Sequence, residues 1–346
     1  MTLRRTRRFL FVLALAAAAA GGGWVGYTAW RLTRAPLPPT AAGATFDVRP
    51  GDNLSQIAHR LARRGVLEHP WDLTVLARVR GEGRNIQAGE YRVAPGMTVS
   101  GLLAMLVNGR VVMHSFTIVP GETFRTIRTK LAADPAFHDD LGDESAAQVM
   151  RTLGHDGVAA EGRFLPDTYS FPRGTDDSTV LERSYAAMTT FLAGAWKRRA
   201  TDLPFHKPEQ ALIVASIIEK ETAVPSERAR IAGVFVRRLK RGMYLDADPT
   251  VIYGLGPGFN GHLTRADLRR PTPYNTYVHR GLPPTPICMP GRASIRAALH
   301  PDKGKALYFV ARGDGTHVFS DTLAEQEKMI RKYQLHEPAG GGHGGH

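Results

Sequence analysis

The chain has 346 residues, a formal net charge of +13, a pI near 10.1 and one cysteine, Cys288. A lone cysteine excludes an intrachain disulfide and no Cys/His cluster has zinc spacing, so stability must come from packed cores, and neither a metal nor a cofactor is expected. The positive charge suits an anionic polymer, an acidic membrane surface or nucleic acid.

The first thirty residues decide where any chemistry takes place. Between Arg8 and Arg31 lie 22 uncharged residues, FLFVLALAAAAAGGGWVGYTAW, which as a helix span about 33 Å against a hydrocarbon core of roughly 30 Å. Arg4, Arg5, Arg7 and Arg8 precede this run, and only Arg31 and Arg34 follow closely. The positive-inside bias therefore predicts a cytoplasmic tail over residues 1–8, a single-pass transmembrane helix over 9–30 and an exported remainder. Trp24, Tyr27 and Trp30 suit the outer interface. A signal peptide cleaved near the small residues 16–20 is the alternative, and it exports the same remainder. Export disfavours nucleic acid as a partner, and no recognised nucleic-acid motif is present. Residues 31–44, with APLPPTAAGA, read as a stiff Pro/Ala linker. At the other end, residues 336–346 read as a disordered Gly/His tail.

An internal repeat organises the next part of the chain. Pro50-Gly51, Pro95-Gly96 and Pro120-Gly121 are each followed by apolar residues three, six and ten positions after the glycine. These are Leu54, Ile57 and Leu61, then Val99, Leu102 and Leu106, then Phe124, Ile127 and Leu131. A short strand-like run precedes each copy, so the unit reads as strand, Pro-Gly turn and amphipathic helix. The form FDVRPGDNLSQIAHRL resembles the opening of LysM glycan-binding modules, and residues 45–113 are read as a LysM-like subdomain; a purely structural strand-turn-helix unit has the same pattern.

After Pro135 the pattern is mostly helical, interrupted by the aromatic- and proline-dense loop EGRFLPDTYSFPRG. Rings interleaved with polar groups suit a sugar-binding cleft and equally a loop folded onto a core. The run EQALIVASII is apolar on nearly every face and predicts a buried helix, opened by Pro208 and ending in the acids of ASIIEKET. Burial of Glu219 at its end would disfavour the charged form and suit a general acid. At about 100° per residue, Glu219 and Glu221 lie roughly 200° apart, so only one faces a given cleft and the helix lacks the paired carboxylates of most glycosidases. A second helix opens at Pro225 and runs to Arg241. Residues 246–256, 272–287 and 290–301 read as long loops, which in ordered domains are usually functional. A hairpin closes the domain around Gly313-Asp314-Gly315.

The blocks EGRFLPDTY, ASIIEKETAVPSERARIAGVFVRRL, LDADPTVIYG, RPTPYNTYVHRGLPPTPICMPGRASIRAALHP and LYFVARGDGTHVFS resemble, in order, those of the endolytic murein transglycosylases of the YceG-like family. Arg163 and Leu165 stand where bulkier aromatics are expected. The resemblance implies an α+β fold with a catalytic domain over residues 114–335, anchored in the inner membrane and facing the periplasm. It implies cleavage of nascent peptidoglycan strands beside cell-wall synthases (penicillin-binding proteins), which sets strand length. It also implies Glu219 as the catalytic residue: an acid toward the MurNAc–GlcNAc oxygen, then a base toward the MurNAc 6-hydroxyl, leaving a 1,6-anhydro end without water. The substrate's own N-acetyl group can replace the second carboxylate.

Supporting roles are expected of Glu221 or Ser216 in orienting Glu219. Asp248, Thr250 and Tyr253 are read as one wall of the cleft. Tyr274, Asn275, Thr276 and Tyr277 are read as another, binding N-acetyl or hydroxyl groups; Asn275 stands first because an amide both donates and accepts. Two other function classes fit the same residues. A non-catalytic wall-binding scaffold would tolerate loss of Glu219, and a hydrolytic muramidase would need a second carboxylate from Asp246, Asp248 or Asp167.

Overall fold

The computed structural model describes the backbone of residues 2–335 and the side chains of residue 11 and residues 13–335. It has a mixed α+β fold whose sheets are all two-stranded, so helices carry most of the core. The chain forms two compact units, one reaching His114 and including Phe171–Gly174, the other made of Ser115–Ser170 and the residues from Thr175 on.

The first unit contains α1 (Thr2–Thr33), β1 (Thr45–Val48), α2 (Leu54–Arg63), α3 (Pro70–Arg80), β2 (Gly89–Arg92) and α4 (Val99–Val107). β1 and β2 pair antiparallel with Phe46 opposite Tyr91, and their rings stack at 5.7 Å. Ile57, Leu61, Leu73, Leu102 and Leu106 pack beneath them, fully buried. Leu32, in the last turn of α1, joins this core. Earlier in α1, Trp24, Val25, Tyr27 and Trp30 are exposed. Among the described residues no helix is long and apolar enough to cross a membrane. Of the predicted span 9–30, the side chains of residues 9, 10 and 12 lie outside the described residues, as do those of the tail 1–8 and all of 336–346.

β3 (Met113–Thr117) pairs with β5 (Thr168–Pro172), and the division between the units falls within both strands. The second unit holds α5 (Phe124–Ala133), β4 (Phe137–His138), α6 (Ala146–Thr152), β6 (Thr175–Asp176), α7 (Asp177–Lys197) and α8 (Pro208–Glu221). It continues with α9 (Arg228–Lys240), α10 (Asp248–Leu255), α11 (Arg265–Arg269), α12 (Arg292–Leu299), the antiparallel hairpin β7 (Tyr308–Ala311) and β8 (His317–Ser320), and α13 (Leu323–Tyr333).

The Pro-Gly repeat has a common physical form. Gly51, Gly96 and Gly121 adopt φ of +85°, +71° and +86°, which L side chains disfavour. Two residues later Asn53, Thr98 and Thr123 each accept a hydrogen bond from the backbone N–H three positions on, capping α2, α4 and α5. Of the nine apolar repeat positions only Leu54 is not buried. α8 is the centre of the second core. Ala211 to Ile218 are all buried, against residues of α7, α9 and α12. Each of its large aliphatic side chains contributes about 1.5–3 kcal/mol of burial.

The segments read as loops at 246–256 and 290–301 instead contain α10 and α12, and α10 carries its own boundary signals. Pro249 in its first turn and Gly256 just past its end, at φ +60°, are the start and stop signals that a reading by turn-residue density passes over.

Candidate active site

α8 delivers Glu219 to the second unit's surface directly after its buried run. The side chain is 8% exposed. Its Oε2 accepts a hydrogen bond of 2.8 Å from the N–H of Gly291, the residue that caps α12, and the Arg228 guanidinium stands 3.9 Å from Oε1. The helix N-terminus and the arginine both face the carboxylate with positive potential. Oε1 accepts no hydrogen bond among the described residues, which leaves it as the oxygen available to a ligand. It borders a cleft of about 490 Å³ lined by Pro120, Gly121, Glu122, Lys220, Thr222 and Arg228 among others. Glu122 is held by Lys130 at 3.1 Å and by the N–H of Val119 at 3.0 Å.

Ser216 does not touch Glu219. Buried, it donates from Oγ to the carbonyl of Ile213 at 2.7 Å and accepts from the N–H of Ile287 at 3.0 Å, so it ties α8 to the segment leading to Gly291. Glu221 leaves the helix on another face. Burial pushes its pKa up to about 8, the charge of Asp248 adds to this, and Arg238 opposes it.

The seven residues read as two walls come together as one. Thr250 and Thr276 meet at 2.9 Å, both buried, and Tyr277 donates to Asp248 at 2.6 Å. The rings of Tyr253 and Tyr274 meet edge to face at 4.7 Å. α10 and the 272–277 turn are therefore zipped side by side. Asn275 is the clearest correction: it is fully buried, its Nδ2 donates to the carbonyls of Asp267, Leu268 and Arg270 at 3.4, 3.0 and 2.8 Å, and its Oδ1 accepts from the N–H of Tyr277 at 2.9 Å. An amide so engaged has nothing left for an acetamido group. Thr250 and Thr276 are likewise committed to the fold, whereas Tyr253 and Tyr274 line open cavities.

Those cavities, of about 870 and 750 Å³, share Arg125, Glu161, Tyr253 and Tyr274. Glu161 went unrecognised in the sequence, although it opens the EGRFLPDTY block. It is 8% exposed, with Oε1 accepting from the Phe124 N–H at the start of α5 and Oε2 from the Tyr253 hydroxyl, both at 3.0 Å. Its neighbour Gly162 has φ +79°, and a Cβ there would lie 2.4 Å from Pro286, so only glycine lets this loop close on the 286–288 segment. Burial pushes the Glu161 pKa up to about 7 from 4.5, against the lowering effect of the Tyr253 and Phe124 hydrogen bonds.

A pH effect follows from Glu161. Its folded-state pKa lies above the unfolded value, so the folded chain binds this proton more tightly; its contribution is most favourable below pH 4.5, is lost as pH rises to about 7, and then stays level. Against the near-isosteric Glu161→Gln, the wild type is expected to lose on the order of 2–3 kcal/mol of relative stability across that window, measured by denaturant unfolding at a series of pH values. A difference that does not change with pH would contradict this.

The three carboxylates considered as a second catalytic acid are each engaged. Asp246, at φ +50°, accepts from Arg238 at 2.8 Å, and burial raises its pKa against that arginine. Asp248 is bonded to Tyr277. Asp167 accepts from its neighbour's N–H at 2.9 Å and from Arg292 at 3.0 Å, and these hold its pKa below the usual carboxylate value.

The YceG-like family model matches residues 46–332 of this chain. An endolytic murein transglycosylase of Bacillus subtilis (strain 168) is 31% identical over 310 residues, covering 83% of this chain and 84% of the relative. An endolytic murein transglycosylase of Streptococcus pneumoniae serotype 2 is 28% identical over 361 aligned residues; the match covers 94% of this chain and 64% of the relative, so the chain spans a little under two thirds of its length. The crystal structure of a YceG-like protein from Listeria monocytogenes superposes with a TM-score of 0.52 at 28% identity, over 84% of this chain and 99% of that one.

Proposed function

This chain belongs to the YceG-like family, and we propose that it is an endolytic peptidoglycan lytic transglycosylase in which Glu219 is both general acid and general base. The observation that carries this reading is the setting of Glu219: a largely buried carboxyl on the rim of a cleft, with Oε2 held by Gly291 and Oε1 open. Oε1 gives its proton to the oxygen bridging MurNAc to GlcNAc, and the C1–O bond breaks. The MurNAc N-acetyl group shares the positive charge at C1. The carboxylate then takes the proton of the MurNAc 6-hydroxyl as O6 closes onto C1, so the acid is regenerated and no water is consumed. Arg228, near Oε1, stabilises the carboxylate between the two transfers. The engaged states of Asp246, Asp248 and Asp167 favour this route over a hydrolytic muramidase, which needs a free carboxylate to activate water.

The strand-helix-helix-strand order β1-α2-α3-β2, with its strands antiparallel, supports reading the first unit as a LysM-like glycan-holding module. The uncharged run 9–30 lies within α1 and supports a single-pass anchor with the catalytic unit in the periplasm, beside the synthases that make its substrate. Protease added to intact spheroplasts should digest the chain beyond Arg31; protection would place it in the cytoplasm. The activity itself is tested by mass spectrometry of fragments released from purified peptidoglycan. Ends of 1,6-anhydro-MurNAc are expected. Ends heavier by one water would indicate a muramidase, and no fragments from a folded, glycan-binding protein would indicate a scaffold.

A further inference from the structure

The cavity of about 750 Å³ beside the Glu219 cleft has a chemistry of its own. Its walls are largely apolar, with Tyr253, Phe259, Tyr274 and Ile287, yet two cations, Arg125 and Lys220, border it. Arg125, exposed in the first turn of α5, makes no ion pair or hydrogen bond from its guanidinium among the described residues. Lys220 has no carboxylate partner there, and its Nζ reaches only the Gly121 carbonyl at 3.5 Å. One acid lines the cavity, Glu161, and both of its oxygens are occupied by Phe124 and Tyr253. Two unpaired cations over aromatic and aliphatic walls suit a short peptide with free carboxylates better than a neutral sugar ring, which would call for more hydrogen-bonding groups.

Position points the same way. Lys220 lines both this cavity and the Glu219 cleft. In peptidoglycan the sugar whose C1 bond would be cut, MurNAc, is also the one carrying a peptide. A MurNAc seated at Glu219 therefore brings its peptide to the neighbouring space. We infer that this cavity receives the stem peptide of the MurNAc being cleaved, with Arg125 and Lys220 pairing its carboxylates. This rests on the transglycosylase reading and adds a substrate preference to it: strands with stems are better substrates than stripped ones.

The test uses the full chain carrying Glu219→Gln, titrated with a muramyl tripeptide with free carboxylates and with the same compound amidated. The acid is expected to bind about tenfold more tightly than the amide, as two charge-assisted pairs allow. Adding Arg125→Gln and Lys220→Gln should bring the ratio to about one, and because both side chains are exposed, circular dichroism should show an intact fold. Equal binding of acid and amide, or a preference that survives both substitutions, would overturn the inference. In parallel, wild-type chain is given stem-bearing strands and strands stripped of stems by an amidase. Equal rates of anhydro-end release on both would overturn the inference while leaving the transglycosylase reading intact. No anhydro ends from either, with the acid preference present, would overturn that reading and with it the assignment to a MurNAc being cleaved, leaving only a site for peptide carboxylates.

Discussion

Glu219→Gln is expected to lower the rate of strand cleavage by on the order of 10³–10⁴-fold without unfolding the protein, because one group carries both proton transfers and general acid–base catalysis is worth about 10²–10⁴. Glutamine keeps the shape of the side chain and an oxygen that can still accept from Gly291, so the thermal midpoint should stay near that of the wild type. It has no proton to give to the glycosidic oxygen and no carboxylate to receive one from the 6-hydroxyl. The measurement is initial release of soluble fragments by full chain and variant under single-turnover conditions. A loss below about tenfold would mean that another group protonates the leaving oxygen, and Glu122, on the same cleft, would be the first to examine.

The second large effect falls on stability. Asn275→Ala removes four hydrogen bonds at a fully buried site and leaves the carbonyls of Asp267, Leu268 and Arg270 without their shared donor. The Asp267 and Arg270 carbonyls keep the N–H groups of Arg270 and Thr272, so the Leu268 carbonyl and the Tyr277 N–H are the groups that lose their partner, at about 1–3 kcal/mol each when water cannot reach them. Partial hydration of the α11 end would recover some of this, so about 3 kcal/mol overall is expected, lowering the melting midpoint by roughly 6–12 °C. Cleavage at a temperature well below the midpoint should fall far less than in Glu219→Gln. The opposite pattern, a stable protein with a large rise in KM, would return Asn275 to the substrate-binding role its polarity first suggested.

What the sequence disclosed was local. An apolar run opened by Pro208 and closed by acids has one low-energy arrangement, a buried helix with Glu219 at its rim, because each residue's preference agrees with its neighbours'. The Pro-Gly turns and apolar spacing of the repeat are local in the same way; the caps at Asn53, Thr98 and Thr123 lie within three residues of the groups they satisfy, but a reading by turn and apolar period does not use them. The rest depends on partners far along the chain. Gly291 meets Glu219 across 72 positions, and Tyr253 meets Glu161 across 92. No period of 2 or 3.6 encodes such meetings. For the same reason the 246–256 and 272–277 segments, both rich in turn residues, read as opposite walls although Thr250 and Thr276 join them into one. Polarity alone also does not separate a ligand-binding amide from one that satisfies buried carbonyls, and Asn275 belongs to the second kind.

Cleavage of purified peptidoglycan in water enriched in oxygen-18, followed by mass spectrometry of the new MurNAc ends, tests most directly the proposal that Glu219 works without a second carboxylate or a water nucleophile. The account predicts 1,6-anhydro ends containing none of the heavy oxygen, because O6 of the sugar itself forms the new bond. Incorporation of one heavy oxygen per cleavage during turnover would contradict it, since water would then be the nucleophile and one of the engaged carboxylates would have to be released to activate it.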